Sequence, residues 1–420
     1  MVDFDQNSNP QLPDEIMKQI HAIELKKPTM IYTSSHTDKL LSQLNDSLIK
    51  NCGIYPYNTS SESAKNFIAR QYSLYLTSGN DESNKNLIFG AISSFRRITK
   101  NKPHIIMCET DNVPLLKYLN QLKINNDADI ELVSINVQGN SITKIIEKSI
   151  KPGKTCLIIV SSANTVFGSV NNITKIGEIA HKNKIPIHVN CNYSFGSAKI
   201  NPYENNIDSF VLDFSLIGGI HNFGILGIKK DLLDGYQLDK AVTEFSTSIY
   251  VNKIDPISLQ IAINTITAIY SSKKSRIGKQ KKTRTLLIKL LKKSYHVISF
   301  MDWLKCANPD VDSQKRTIVV LFMGEGAIGC PNILSFIPIG FLDAELKKIT
   351  QLANYDKIDK IIVYQYKTIF REVFKKSGKD IFILDHIFTL SWNEKISTTQ
   401  ITNFVKQLNQ ICYVTSASKR

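Results

Sequence analysis

Thr77-Ser78-Gly79-Asn80-Asp81-Glu82-Ser83-Asn84 sets a glycine-bearing turn between a strand and a helical run, Lys85 to Phe95. A turn so placed aims backbone N–H groups and the positive end of the helix dipole at an anion, above all a phosphate. A Ser-Gly turn before a helix is also a common cap, and a capping role is the plainer reading of Asp81. The company this turn keeps along the chain decides between the two.

Downstream, short apolar, β-branched runs recur at His104 to Met107, Ile130 to Ile135, Cys156 to Val160, Ile185 to Val189 and Ser209 to Leu212. Helical patterns such as Asn112 to Leu122 and Ile173 to Lys182 lie between them. Apolar strands separated by amphipathic helices predict βαβ units around a buried, mostly parallel sheet. From about Asp255 the pattern is helical through Lys293; strands return near Thr317 to Phe322 and Asn332 to Ile337, ahead of a last helix, Thr398 to Ile411. The expected fold class is α/β, with a capped helix from Asp14 to Leu25 in an N-terminal segment (1–30) that packs with the small domain. A large doubly wound domain (31–269) and a small C-terminal α+β domain (270–420) follow.

The 420 residues can bury a sizeable core, and 42% hydrophobic with 21% charged residues is ordinary for a globular, enzyme-sized chain. No apolar run approaches the roughly 18 to 20 residues of a membrane span. The polar, acidic opening MVDFDQNSNPQLPDE is unlike a secretory signal, so the expected location is the cytoplasm, with no membrane partner. Seven scattered cysteines without Cys-x-x-Cys or Cys/His ligand spacing predict reduced, mostly buried thiols and no metal centre. The formal charge of +15 admits nucleic acid as a partner through Lys273 to Lys293, which includes Arg276 and Arg284. That run lacks interleaved aromatics, and a solvated face is its simpler reading.

Thr77 to Asn84 resembles the phosphate loop Thr-Ser-Gly-Ala-Thr-Glu-Ser-Asn of the NifS/IscS-like cysteine desulfurases, class-V aminotransferases of fold-type I that use pyridoxal phosphate. Further resemblances follow in order: Ser162-Ala163-Asn164-Thr165-Val166-Phe167-Gly168 to the family's His-Ala-Asn-Asn-Glu-Val-Gly, and His188-Val189-Asn190-Cys191-Asn192-Tyr193-Ser194-Phe195-Gly196 to His-Val-Asp-Ala-x-Gln-x-Val-Gly. Cys330-Pro331-Asn332-Ile333-Leu334-Ser335-Phe336 is similar to the small-domain Leu-Pro-Asn-Thr-Leu-Asn-Ile-Ser-Phe, and Ser391 onward to the closing strand and helix. Each match is weak; their shared order from about Pro28 to Ile411 carries the fold. Composition and divergence are similar to those of NifS-like proteins of large DNA viruses. The resemblance also implies a homodimer whose cleft forms at the subunit interface.

The same resemblance shows how far the chemistry has eroded. A Schiff-base lysine and an acid partner for the ring nitrogen are the first requirements of pyridoxal phosphate. In Asp213-Phe214-Ser215-Leu216-Ile217-Gly218-Gly219, Leu216 stands at the lysine position, while Lys229 and Lys230 lie beyond the next strand. Asn190 stands at the ring-nitrogen aspartate, Tyr193 at the glutamine facing the ring hydroxyl, and Asn112 at the stacked histidine; Asn164 alone is unchanged. Around the phosphate, Asp81 replaces a threonine, Asp213 a serine and Ser215 a histidine, so two carboxylates would face a dianion.

The segment from Tyr355 to Asp380 has no cysteine for a mobile nucleophile, leaving Cys306 and Cys330, which read as core or strand-edge thiols. Asn393 or Glu394 occupies the substrate-arginine position, and Arg371 reads as solvated; around Ser246 to Ile254 the Arg-x-Gly-Thr segment is unrecognisable. The expectation is a catalytically inactive, dimeric scaffold or interaction protein with an unknown protein partner. Its vestigial cleft, from Ser78, Gly79, Asn80, Asp81, Asn112, Asn164, Asn190, Tyr193, Asp213 and Ser215, leaves room only for weak, non-covalent cofactor binding. The alternatives are a divergent pyridoxal-phosphate enzyme acting on cysteine or another amino acid, and a basic nucleic-acid-associated protein.

Overall fold

The computed structural model describes residues 72–108, 112–133, 142–164, 168–196, 201–232, 256–306, 317–320, 329–352 and 374–417, with positions 14, 17–18, 39–44, 46–48, 166, 367 and 370–371. Most of the segments 1–30 and 355–380, and all of 246–254, lie outside them, as do Thr110 and Asp111. From the N-terminal segment, Asp14 is described as helical and pairs with Lys395 at 2.8 Å.

The strands of the larger sheet are β1 (Tyr72–Thr77), β2 (His104–Cys108), β3 (Asp129–Val133), β4 (Thr155–Ser161), β5 (Ile187–Asn190), β6 (Ser209–Asp213) and β7 (Gly224–Lys229). They stand in the order β1-β7-β6-β5-β4-β2-β3. All neighbours are parallel except β7, which runs antiparallel to both β1 and β6. Strands β2, β4, β5 and β6 are buried along their whole length, as a sheet covered on both faces requires. Helices α1 (Asn80–Thr99), α2 (Val113–Ile124), α3 (Ile142–Ser149) and α4 (Ile173–Lys182) alternate with these strands. Ile88, Ile92 and Phe95 of α1 pack with Ile105, Met107, Leu157 and Ile159, while Ile173, Ile176 and Ala180 of α4 pack with Ile158, Val160 and Val189. Each of the larger of these side chains, Val, Leu, Ile, Met or Phe, stabilises the fold by about 1.5–3 kcal/mol when removed from water, before entropy is counted.

Two long helices follow, α5 (Pro256–Ser271) and α6 (Lys273–Ser294), then β8 (His296–Ser299) and a short helix, α7 (Phe300–Lys305). With β9 (Thr317–Val320), β10 (Ile333–Ile339) and β11 (Phe388–Ser391), β8 makes a second sheet of order β11-β10-β9-β8. It packs with α8 (Asp343–Leu352), α9 (Thr398–Ala417) and the inner side of α6 around Leu287, Leu291, Phe336, Trp392 and Phe404.

In α6, Gln280, Thr283, Leu287 and Leu291 are buried while Lys274, Lys279, Lys281, Lys282 and Lys289 are exposed. Both arginines turn toward the protein, half-buried, and Arg276 Nη2 donates to Gly196 O at 2.9 Å. The positive face left to solvent is made of lysines alone. Cys108, Cys156, Cys191 and Cys330 are buried, as expected, but Cys306 is exposed at the end of α7 rather than in the core or at a strand edge. No helix among the described residues is long and apolar enough to cross a membrane, and no His/Cys/Asp/Glu group among them is arranged to hold a metal.

Candidate functional site

In an open α/β sheet, sites form beyond the carboxyl ends of the strands, and there β1, β5 and β6 bring together most of the residues singled out from the sequence. After β1 the chain turns through Gly79, at φ 136°, ψ −159°, a region essentially reserved for glycine. A Cβ on Gly79 would stand 2.6 Å from Asp213 Oδ2, so sterics demand glycine as well. Ser83 donates to Gly79 O from N at 3.1 Å and from Oγ at 2.8 Å, and the Glu82 carboxylate accepts from Ser78 N at 2.6 Å. Gly224 of β7 presses against the turn: its Cβ would lie 2.6 Å from Gly79 Cα.

The helix N-terminus faces an anion that the chain itself supplies. Asp213 Oδ2 accepts from Asn80 N at 2.8 Å, while Oδ1 accepts from Ser215 N at 2.9 Å and from Ser215 Oγ at 2.5 Å. The carboxylate therefore uses the first free amide of α1 and the serine beside it. The capping expectation for Asp81 is corrected: the cap position is Gly79, and Asp81 is the second residue of the helix. Partial desolvation raises the Asp81 carboxyl above its ordinary range; Lys85 opposes that shift, Asp213 adds to it, and a hydrogen bond from Asn112 opposes it. Asn112 caps α2 with its own side chain, accepting from Leu115 N at 2.8 Å.

Beneath the turn lies a buried run of amides. Asn80 Oδ1 accepts from Nδ2 of Asn84 at 3.0 Å, Asn190 at 3.2 Å and Asn192 at 3.3 Å. Three donors on an oxygen with two lone pairs explain why the contacts lengthen. Asn190 Oδ1 accepts from Asn192 N at 3.1 Å, and Asn192 Oδ1 from Asp213 N at 2.6 Å, which ties the amides back to the carboxylate. At the other end, Asn84 Oδ1 lies 3.0 Å from His188 Nε2, and His188 Nδ1 lies 2.9 Å from Ser209 Oγ. Because Asn84 Nδ2 is donating to Asn80, its oxygen accepts here; His188 is the Nε2–H tautomer, and burial pushes its pKa down to about 3. Asn84, Asn192, His188 and Gly224 were not among the expected site residues. The cluster Asn190-Cys191-Asn192 was the available sign of the amide run.

Other expected members are used elsewhere. Leu216 sits half-buried in the 3-10 turn Phe214–Ile217, closed by Gly218 at φ 79°. Lys229 ends β7 away from the turn, its N–H on Asp208 O at 2.7 Å and its ammonium 3.9 Å from Asp231. Asn164 shapes its own loop: Oδ1 accepts from Val166 N, and its N–H donates to Ser169 O, both at 2.8 Å. Tyr193 packs on Ala163, Cys330 and Ile333. At the position expected for the substrate arginine, Asn393 Oδ1 accepts from Lys395 N at 2.9 Å. Arg276 is close enough to Glu394 for that carboxylate to counter the lowering of its pKa by burial.

This donor set does not fit pyridoxal phosphate. The 3-10 turn offers no amine, Asn190 is uncharged and tied to Asn80 and Asn192, and the first amide of α1 is already bonded to the Asp213 carboxylate.

A phosphorylated-cofactor transferase fold is nonetheless what these elements build. The family model for Aminotransferase class-V matches residues 54–274, and the chain belongs to that family. Within it the likeness runs to NifS/IscS-like cysteine desulfurases. The mitochondrial cysteine desulfurase of Saccharomyces cerevisiae is 28% identical over 178 residues, 41% of this chain and 35% of that protein. The cysteine desulfurase IscS of Histophilus somni is 27% identical over 154 residues, 36% of this chain and 37% of that one. The matched segments thus span little more than a third of these relatives. In solved structures, the NifS-like protein of Rickettsia africae superposes with a TM-score of 0.71 at 16% identity, covering 98% of this chain and 99% of that one, a likeness of fold.

Proposed function

We propose that this chain is a NifS-like protein that has given up cysteine desulfurization and acts as a dimeric, cytoplasmic scaffold or interaction protein. One observation carries the reading: the Asp213 carboxylate, held by Asn80 N, Ser215 N and Ser215 Oγ, takes the first amide of α1 and puts a negative charge where a cofactor phosphate would sit. A second negative group brought to those amides meets repulsion at close range instead of open donors. Leu216 and the committed amide of Asn190 support the same reading. The buried lining is well satisfied without a ligand, the state expected of a surface retained for shape rather than chemistry.

The test is incubation of the full-length protein with cysteine and pyridoxal phosphate, followed by assay of alanine against a free-cofactor control. No alanine above the control is expected. Protein-dependent alanine overturns the proposal in favour of an active enzyme with relocated groups. Light scattering at micromolar concentration is expected to give a dimer, and a monomer there overturns the dimeric part.

A further inference from the structure

At the opposite end of the larger sheet, where β4 and β5 begin, a groove of about 560 Å³ opens between the ends of α1, α3 and α4. That is within the usual ~300–1,000 Å³ range of ligand pockets. Phe95, Ile150, Cys156 and Ile185 make its floor, and Ile98, 58% exposed, forms an apolar lip. Two lysines line it, Lys151 and Lys184, and no acidic side chain does. Lys151 is answered by Glu131 at 3.1 Å, whereas Lys184 makes no ion pair among the described residues. Nor do Lys100 and Lys154, next in sequence to the lining residues Thr99 and Thr155.

The backbones carrying two of these lysines are held by helix-ending turns. Lys100 at φ 57° donates its N–H to Arg96 O at 2.9 Å, and Lys184 at φ 56° donates to His181 O at 3.0 Å. Lysines at helix C-termini also offset the helix dipole, and that alone would explain their sign. It does not explain an apolar concavity beside Lys184 or an isoleucine left in water at its lip.

We propose that this groove docks an acidic, apolar peptide segment of a partner protein. Apolar side chains enter the floor beside Ile98, and carboxylates meet Lys100, Lys154 and Lys184. A single-headed anionic amphiphile would engage one cation, but here Lys184 lines the groove before β5, and Lys100 and Lys154 adjoin the lining residues Thr99 and Thr155 on two further turns, after α1 and before β4. Spaced charges around an apolar centre match an extended segment, with the charges steering encounter and the apolar contact holding it. The groove is remote from the Asp213 turn, so this inference stands or falls independently of whether the cleft retains any chemistry.

The test uses full-length protein and a fluorescein-labelled synthetic peptide alternating Phe or Leu with Glu, read by anisotropy. Saturable binding is expected, weakened about tenfold by Ile98→Asp and again by Lys184→Glu, as for loss of central contacts, and weakened by added salt. Hydrogen exchange is expected to slow at 150–156 and 183–185 when the peptide binds. Because Ile98 is exposed, Ile98→Asp should keep the wild-type melting temperature; if it does not, Lys184→Glu alone decides. No binding at millimolar peptide, binding indifferent to the deciding variants, or exchange protection there by dodecanoate and not by peptide overturns the proposal. So does a loss of self-association in Ile98→Asp, which would make a second copy of the chain the occupant.

Discussion

The two ends of the seven-stranded sheet treat their charges in opposite ways. At the carboxyl end, Asp213, Asn80, Asn190, Asn192 and Ser215 answer one another at 2.5 to 3.3 Å. At the amino end, Lys100, Lys154 and Lys184 have no ion-pair partner among the described residues, and an apolar groove opens there, lined by Lys184 and by the sequence neighbours of the other two. In this fold the carboxyl end is the usual place for ligands, yet here Asp213 and the amides around it already hydrogen-bond one another. Geometry inherited from an ancestor and capacity to bind are separable. The first survives in turns and packing, and the second depends on which donors remain open.

The sharpest way to break this contrast is to ask the closed end for chemistry. Wild type and Leu216→Lys are both expected to give no alanine from cysteine above the free-cofactor control, because one amine repairs neither Asn190 nor Asp213. Alanine from the variant alone would show that the lysine was the sole defect. Next in size is Gly79→Ala, expected to destabilise by about 3 kcal/mol in urea titration, since backbone strain of roughly 1–3 kcal/mol adds to the clash with Asp213. In an Asp213→Gly background the clash vanishes and the cost should fall; equal costs in both backgrounds would mean that the carboxylate does not press on the turn.

Acid should open the closed end. The folded pKa of His188, about 3, lies below its ordinary value of 6.5, so protons favour the unfolded chain. The stability from neutral His188 is complete above pH ~6.5 and is lost as pH falls toward 3, amounting to about 2 kcal/mol by pH 5. His188→Gln should lack that component, and parallel wild-type and variant stability curves between pH 7 and 5 would rule it out. Asp213→Ala leaves Asn80 N without its acceptor and should cost about 1–2 kcal/mol, comparable to losing a helix cap. Thermal melts of Asp213→Ser should rise with inorganic phosphate while wild-type melts do not; a phosphate effect on wild type alone would show the cradle to be open already.

The helix-strand alternation was legible because buried parallel strands are written as unbroken apolar runs. His104–Cys108 and Thr155–Ser161 differ by only a residue or so from their expected spans, and Ile173–Lys182 matches. Collinear resemblance also pointed to Leu216, Asn190 and Tyr193 as departures from the family's pattern. What could not be read was where the replacement side chains would go. Asp81 and Asp213 looked equivalent, two carboxylates facing one phosphate, but only Asp213 reaches Asn80 N, because β6 brings it across the sheet from 133 residues away. Local pattern cannot report such a contact. The same holds for α6, where composition shows a basic run and only packing reveals that Arg276 and Arg284 turn inward.

Strand β1 has a consequence for how the chain matures. Among the described residues it is the first strand of the larger sheet to be synthesised, yet its neighbour there is β7, the last, in register from Tyr72 with Lys229 to Thr77 with Gly224. During translation β1 must wait at an open edge while the strands between them emerge and associate. Pairings that span so much intervening chain are slow to form and expose unpaired edges in the interval. The turn at Gly79, wedged against Gly224, therefore assumes its final shape only when β7 arrives. A ribosome stalled before Gly224 would carry a protease-sensitive β1, and one stalled after Lys229 has emerged would carry a protected one.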